Sequence, residues 1–268
     1  MTDEIKSIRK YFKPIQPSIK LGEKYISYKE FSPSIELENY IYCYWQLKTN
    51  KRLDKKYKYR VVSDGCIDIF LEAQNTEQSF IMGFCNKYSE FELEKDFNYI
   101  GIRFLPSFFP VLFRADAKLL SNKFQRLTEV NSQLAAWIKN IDRNSNFVEL
   151  FNQKFESIIK NISFTKLDNR FYEAVTIILR KSGNVDLDKD VVAGLSSRQL
   201  RRIFNYYVGT TPKAFANVVR FQHILNAKPS QQSLKKNKIY FDVGFYDQAH
   251  FIKNFKTFYG ITPSKAFN

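Results

Sequence analysis

The last eighty or so residues repeat themselves, and the repeat limits what this chain can fold into. Ser196-x3-Leu200-x3-Phe204, followed by Gly209-Thr210-Thr211-Pro212, returns as Asp247-x3-Phe251-x3-Phe255, followed by Gly260-Ile261-Thr262-Pro263. Every matched position is offset by 51 residues. A fixed internal period means a repeated structural unit. Each copy carries the marks of one short helix. Ser196 or Asp247 supplies a side-chain oxygen for the unpaired N–H groups at the start. Gln199, three residues after Ser196, completes a capping box. Leu200 with Phe204, and Phe251 with Phe255, give an apolar stripe at i, i+4. Gly209 and Gly260 suit the left-handed residue that ends a helix, and Pro212 and Pro263 suit the first turn of the next.

Opposite the first stripe stand Arg198, Arg201 and Arg202, and opposite the second Gln248, Ala249, His250, Ile252 and Lys253. Gly194 and Gly244 precede the two capped helices. A short helix, a Gly turn and a capped second helix with a polar outer face make a helix-turn-helix. Two such units suit successive major grooves of DNA. The first unit is expected over 187–192 and 196–207, the second over 238–243 and 247–258, with a long helix from Pro212 to Leu225 between them. A helix opened by Asp168, with Phe171, Val175 and Ile178 on one face, ends at Gly183. Lys228 to Lys238 reads as a basic loop, either beside a DNA backbone or simply solvated.

Charge points the same way. The chain carries +15 over 268 residues. Residues 191–268 hold twelve Lys/Arg against two Asp/Glu, so two-thirds of that excess sits in the repeat. This is the electrostatic footprint of a phosphate-backbone partner.

The run Ser196-Ser197-Arg198-Gln199-Leu200-Arg201-Arg202-Ile203-Phe204, with Gly209-x-x-Pro212 and Arg220, resembles the first motif of the AraC/XylS transcription regulators. Gly244-Phe245-Tyr246-Asp247-Gln248-Ala249-His250-Phe251, with Phe255-Lys256 and Gly260-Ile261-Thr262-Pro263, resembles the second. The resemblance covers residues 167–268. The chain departs from the pattern at Asp190 and Tyr240, where the family usually has Ala four residues before each turn Gly. The resemblance implies DNA contacts at Ser197, Arg198, Arg201, Arg202, Gln248, Ala249, His250, Lys253 and Lys256. Arg198 and Arg201 suit guanine O6 and N7, and Gln248 suits adenine. Arg202 suits phosphate or an acid of its own domain, and Lys253 guanine or phosphate. His250 suits either DNA or a hydrogen bond within the fold. Lys213 is a further phosphate candidate. The family also implies activation through RNA polymerase.

The first half has a different texture. Tyr25–Tyr28, Tyr40–Leu47, Tyr57–Val62, Cys66–Leu71, Phe80–Phe84, Tyr88–Leu93 and Tyr99–Leu105 are short runs rich in β-branched and aromatic residues. They read as strands of a barrel or sandwich. In Cys66-Ile67-Asp68-Ile69-Phe70-Leu71 the three aliphatics share one face and Cys66, Asp68 and Phe70 the other. Tyr42-x-Tyr44-Trp45, Val61-Val62-Ser63-Asp64-Gly65-Cys66-Ile67-Asp68 and Gly101-Ile102-Arg103-Phe104-x-Pro106 resemble the N-terminal domain of one AraC-like subgroup, which implies a cupin-like barrel. Such a barrel can hold a small ligand, with Trp45, Cys66, Asp68 and Arg103 as candidate pocket groups.

Residues 1–20 read as an arm or irregular lead-in. Residues 107–161 turn helical, and Phe147–Ile159 is either a dimer seam or a helix packed on its own barrel. Asn161–Thr165 reads as the linker. The fold class expected is therefore α+β and multidomain. A cupin-like β-barrel with flanking helices spans 1–161, and an all-α domain with two helix-turn-helix units spans 167–268.

The two histidines, His223 and His250, both lie outside the first 190 residues. This argues against a metal-dependent cupin enzyme, and no metal, cofactor or catalytic residue is expected. Cys43, Cys66 and Cys85 match no zinc or disulfide spacing and read as buried thiols. No apolar run is long enough to span a membrane, and the N-terminus lacks a signal-peptide core, so a cytoplasmic protein is expected. The expected partners are double-stranded DNA, RNA polymerase, a small-molecule effector and a second copy of the chain. The alternatives are a regulator that works through protein partners with weakened DNA binding, and a metal-free barrel enzyme with a regulatory appendage.

Overall fold

The seven β-rich runs become seven strands close to where the sequence places them, in a computed structural model that describes residues 3–16, 24–142, 145–162, 168–191, 194–229 and 244–267. They are β1 (Ile26–Phe31), β2 (Ile41–Thr49), β3 (Tyr57–Val61), β4 (Ile67–Glu72), β5 (Asn75–Met82), β6 (Ser89–Leu93) and β7 (Asn98–Phe104). The start of β5 is polar and escapes a pattern search. It is held by the tight hairpin that pairs Asn75 with Glu72. A three-residue strand, β8 (Phe124–Arg126), was not expected and adds an edge beside β5. The sheets are antiparallel: six strands in the order β1-β2-β7-β4-β5-β8, and a second pair, β3-β6.

The alternation in β4 decides what each face of the large sheet does. Ile67, Ile69 and Leu71 are buried in the main core. Asp68 and Phe70, on the other face, line a cavity between the two sheets. The β-rich half thus has a packed back and a hollow front.

Helices cover the back. After α2 (Phe108–Phe113) and α3 (Ser132–Lys139) comes α4 (Phe147–Lys160), whose Phe151 and Phe155 are fully buried. Phe155 meets Phe104 at 5.6 Å and Phe151 meets Tyr44 at 5.5 Å between ring centroids. Asn152 Oδ1 accepts from Ser34 N–H (3.0 Å) and from Tyr44 O–H (2.9 Å). Of the two placements the sequence leaves open, α4 takes the one on its own sheet. Each buried Phe contributes about 2–3 kcal/mol.

The lead-in is not irregular. Asp3–Tyr11 forms α1, with Ile8 and the following Phe12 buried. The Ile8-x3-Phe12 spacing was its signal, and Ser7 Oγ reaches Thr176 Oγ1 at 2.6 Å.

The C-terminal half is helical: α5 (Asn169–Arg180), α6 (Ser197–Val208), α7 (Pro212–Ala227), α8 (Gln248–Tyr259) and the short α9 (Pro263–Ala266). The helix expected over 187–192 does not form in its described part. Residues 187–190 make a turn, closed by Asp190 N–H donating to Asp186 O at 2.7 Å. The Asp190 carboxylate accepts from Asp186 N–H and pairs with Lys181. A residue that both ends a turn and faces a lysine does not occupy a close helix–helix contact. The expected helix at 238–243 with Tyr240, the loop from residue 230 onward and linker residues 163–165 lie outside the described residues.

One core runs from the sheets to the last helices. Phe12 stacks on Phe215 at 6.4 Å. Gln222 donates to Ser63 O (2.8 Å) and accepts from Ile15 N–H (2.7 Å). In the last turn of α8, Thr257 O accepts from Tyr88 N–H at 3.1 Å and Phe258 O from Ser63 N–H at 3.3 Å.

Candidate nucleic-acid interface and cavity

Helix α6 begins with the capping box the sequence signals: Ser196 Oγ accepts from Gln199 N–H, and Gln199 Oε1 accepts from Ser196 N–H at 3.0 Å. Its inner face buries Leu200, Phe204 and Val208. In α8, Asp247 Oδ1 accepts from His250 N–H at 2.7 Å, and Phe251 and Phe255 point inward. Helix α7 carries both. Its Phe215 meets Phe204 at 5.9 Å, and its Phe221 meets Phe255 at 5.4 Å. Arg220, also on α7, ties the layout together. It donates to Gly183 O (2.9 Å) and Gly244 O (3.1 Å) and lies over the Phe245 ring at 5.3 Å.

The C-terminal ends of α6 and α8 dock on the other half. Gly209 ends α6 in the left-handed region at φ 86°, and a Cβ there would stand 2.7 Å from Ala117 O. Gly260 ends α8 at φ 92° beside Arg60 and Tyr88. The N-terminal ends are left exposed.

The named DNA candidates lie on those free ends and outer faces. Arg198, Arg201 and Arg202 are exposed and make no ion pair among the described residues. Ser197 is exposed and its hydroxyl donates to Asp188 Oδ1 at 3.3 Å. Gln248, Ala249, Lys253, Lys256 and Lys213 are exposed. His250 is exposed, with its ring edge-on to Phe245 at 5.4 Å. The sequence reading passed over Tyr246, 86% exposed just before the α8 cap. Its signal was an aromatic residue in a turn with no apolar partner at helical spacing.

Trp45, Asp68 and Arg103 meet in the cavity between the sheets, which has a volume of about 240 Å³. Trp45 Nε1 donates to Asp68 Oδ2 at 3.0 Å, and Arg103 Nη2 donates to the same oxygen at 3.0 Å. Arg103 is 3% exposed and also pairs with Asp64 (3.2 Å) and Glu30 (3.3 Å). Gly101 lies under the indole, where a Cβ would come within 2.4 Å of it. Burial pushes the Asp68 carboxyl up to about 6, against the pull of Arg103. Cys66 does not line this cavity. It is buried in the main core, where burial raises its thiol. The residues that sequence reasoning missed are the aromatic walls, such as Tyr28, Tyr59 and Tyr99, and the acids Glu30 and Asp64 that pair with Arg103 behind them. Strand alternation placed Phe70 and Asp68 on one face, but the pairing of β3 with β6 across the cavity has no sequence signal.

Residues 191–268 match the family model of a helix-turn-helix domain. Residues 29–125 match that of a domain of unknown function (DUF6597). An uncharacterized HTH-type transcriptional regulator of Haemophilus influenzae is 35% identical over 112 residues, 40% of this chain. The match spans 37% of that relative's length. Among solved structures, ToxT from Vibrio cholerae is 15% identical over 91% of this chain and 95% of that one, with a TM-score of 0.37. Unsaturated fatty acid-bound wild-type ToxT is 14% identical over 90% of this chain and 94% of that one, at 0.39. Among the described residues, no helix is long and apolar enough to cross a membrane.

Proposed function

We propose, from the premise that residues 191–268 are an AraC-type helix-turn-helix domain, that the protein binds specific DNA through α6 and α8 and regulates transcription from the bound site. The observation that carries this reading is the shared posture of the two helices. Each is anchored at its C-terminal end, and each leaves free a polar N-terminal face. Readers of base edges sit on that part of a recognition helix. Arg198 and Arg201 read guanine, Gln248 reads adenine, and Arg202, Lys253, Lys256 and Lys213 hold phosphate. Ser197, Ala249 and His250 complete the contact surface, with Tyr246 beside them.

In the same reading, residues 167–268 act as the DNA reader and residues 1–161 as the sensor. The cavity that gathers Trp45, Asp68 and Arg103 receives a small-molecule effector. The seam at Ser63, Tyr88 and Ala117 passes its occupancy to the ends of α6 and α8. The bound regulator activates by touching RNA polymerase, and works as a dimer or as two adjacent monomers on its site.

The test is binding of the full chain to a labelled fragment of its own upstream region and to genome-selected fragments, against scrambled DNA of equal length. A preference of about a hundredfold or more is expected, with log affinity falling by ~0.9 per contacted phosphate per decade of salt. Equal binding to every fragment would refute specific reading.

A further inference from the structure

The cavity is walled by aromatic rings and has a surplus of negative charge. We infer that its ligand is an organic cation, an aromatic amine or quaternary ammonium, held face-on by Trp45 and its neighbours above the Asp68–Arg103 floor. This inference rests on the reading of the cavity as an effector site and adds the chemical class.

Rings come first. Tyr28, Trp45, Tyr59, Phe70, Phe91 and Tyr99 reach the space from both sheets. Trp45 meets Phe70 at 5.9 Å and Tyr28 at 6.4 Å between centroids. An aromatic face carries negative electrostatic potential and attracts a cation, most strongly when the pair is out of water.

Charge decides between ligand classes. Arg103 is the one basic residue among those lining the cavity, while Asp68 and Glu92 are acidic. Every nitrogen of Arg103 already faces an oxygen. Its Nε faces Asp68 Oδ1 (3.3 Å) and Asp64 (3.2 Å), its Nη1 faces Glu30 (3.3 Å) and Tyr28 Oη (3.5 Å), and its Nη2 faces Asp68 Oδ2 (3.0 Å). One guanidinium thus answers three carboxylates. An incoming carboxylate or phosphate would come up against all three. An incoming cation would relieve the surplus.

The indole itself is held in place. Gly101 gives the indole a backbone to lie on, and the Trp45 N–H is spent on Asp68. The indole edge that carries the N–H is thus occupied from within the protein.

The experiment uses the full wild-type chain at pH 7.5, with calorimetry and quenching of tryptophan fluorescence. The probes are benzyltrimethylammonium, neutral benzyl alcohol, and the anions phenylacetate and decanoate. The cation should bind at least tenfold tighter than the neutral and anionic probes. Trp45→Phe, checked for unchanged unfolding, should weaken it several-fold while leaving benzyl alcohol nearly unchanged. If phenylacetate, decanoate or benzyl alcohol binds as tightly as the cation, the charge inference is overturned and the effector reading survives. If no probe of any charge binds, both fail.

Discussion

Arg103 and Arg201 are the same side chain in opposite circumstances. Arg103 is 3% exposed and surrounded by Glu30, Asp64 and Asp68. Arg201, like Arg198 and Arg202, is exposed and without an ion pair among the described residues. Composition counts both as +1, yet only the second kind is offered to a partner. The lesson is that a basic balance locates a nucleic-acid face only after internally spent cations are subtracted. In the reader half few acids are present to spend them: two Asp/Glu stand against twelve Lys/Arg in residues 191–268.

The contrast can be sharpened by removing charge from each side. Arg103→Met strands three buried or half-buried carboxylates and should cost about 3–5 kcal/mol of stability in chemical denaturation. A loss under about 1 kcal/mol would mean that water reaches the cluster. Arg198→Ala with Arg201→Ala should do the reverse. Stability stays within about 0.5 kcal/mol, while specific DNA affinity falls about a hundredfold, or ~3 kcal/mol. Unchanged specificity would remove both from their assigned role.

Two glycines test the same divide through the backbone. Gly209→Ala places a Cβ 2.7 Å from Ala117 O at a left-handed φ, so about 2 kcal/mol or more is lost and the seam must shift. Gly194 has φ 65° but open space around it. Its Ala variant should lose only about 1 kcal/mol, from the strained φ alone. Equal losses in thermal unfolding would mean that the seam yields as easily as the open turn.

The smallest effect is in pH. Burial raises the Asp68 carboxyl to about 6 in the folded protein, above its ordinary 3.8. Between those values the folded chain holds a proton that the unfolded chain has released. Wild type therefore loses stability relative to Asp68→Asn as pH climbs from 4.5 to 7.5, by on the order of 1 kcal/mol. The groups that face it, Arg103, Asp64 and Trp45, remain in both proteins. A flat difference across that window would refute the raised value.

Much of this was legible in the residues because it is local. Caps at Ser196 and Asp247, left-handed Gly209 and Gly260, and the alternation in β4 are all set by neighbours within a few positions. What was not legible is long-range or single-sided. Helix α1 has one short apolar face, formed by Ile8 and Phe12, that only α5 and the neighbouring core explain. Asp190 was read as a misfit in a helix, whereas its pairing with Lys181 belongs to a turn. Cys66 shares a strand face with Asp68 by alternation. It lies just before the first residue of β4 and beyond the end of the main cavity, packed into the core.

The last turn of α8 has a consequence for how such proteins can be recombined. A helix end leaves carbonyls that its own backbone cannot satisfy, and here the N–H groups of Ser63 and Tyr88, far back in the sheet half, satisfy those of Phe258 and Thr257. The helical half is finished by the sheet half. Grafting residues 168–268 onto a foreign N-terminal half would leave α8 without its terminal partners. A working chimaera therefore has to carry the segments around 63 and 88 across with the helices, and the unit of exchange is the seam rather than the linker.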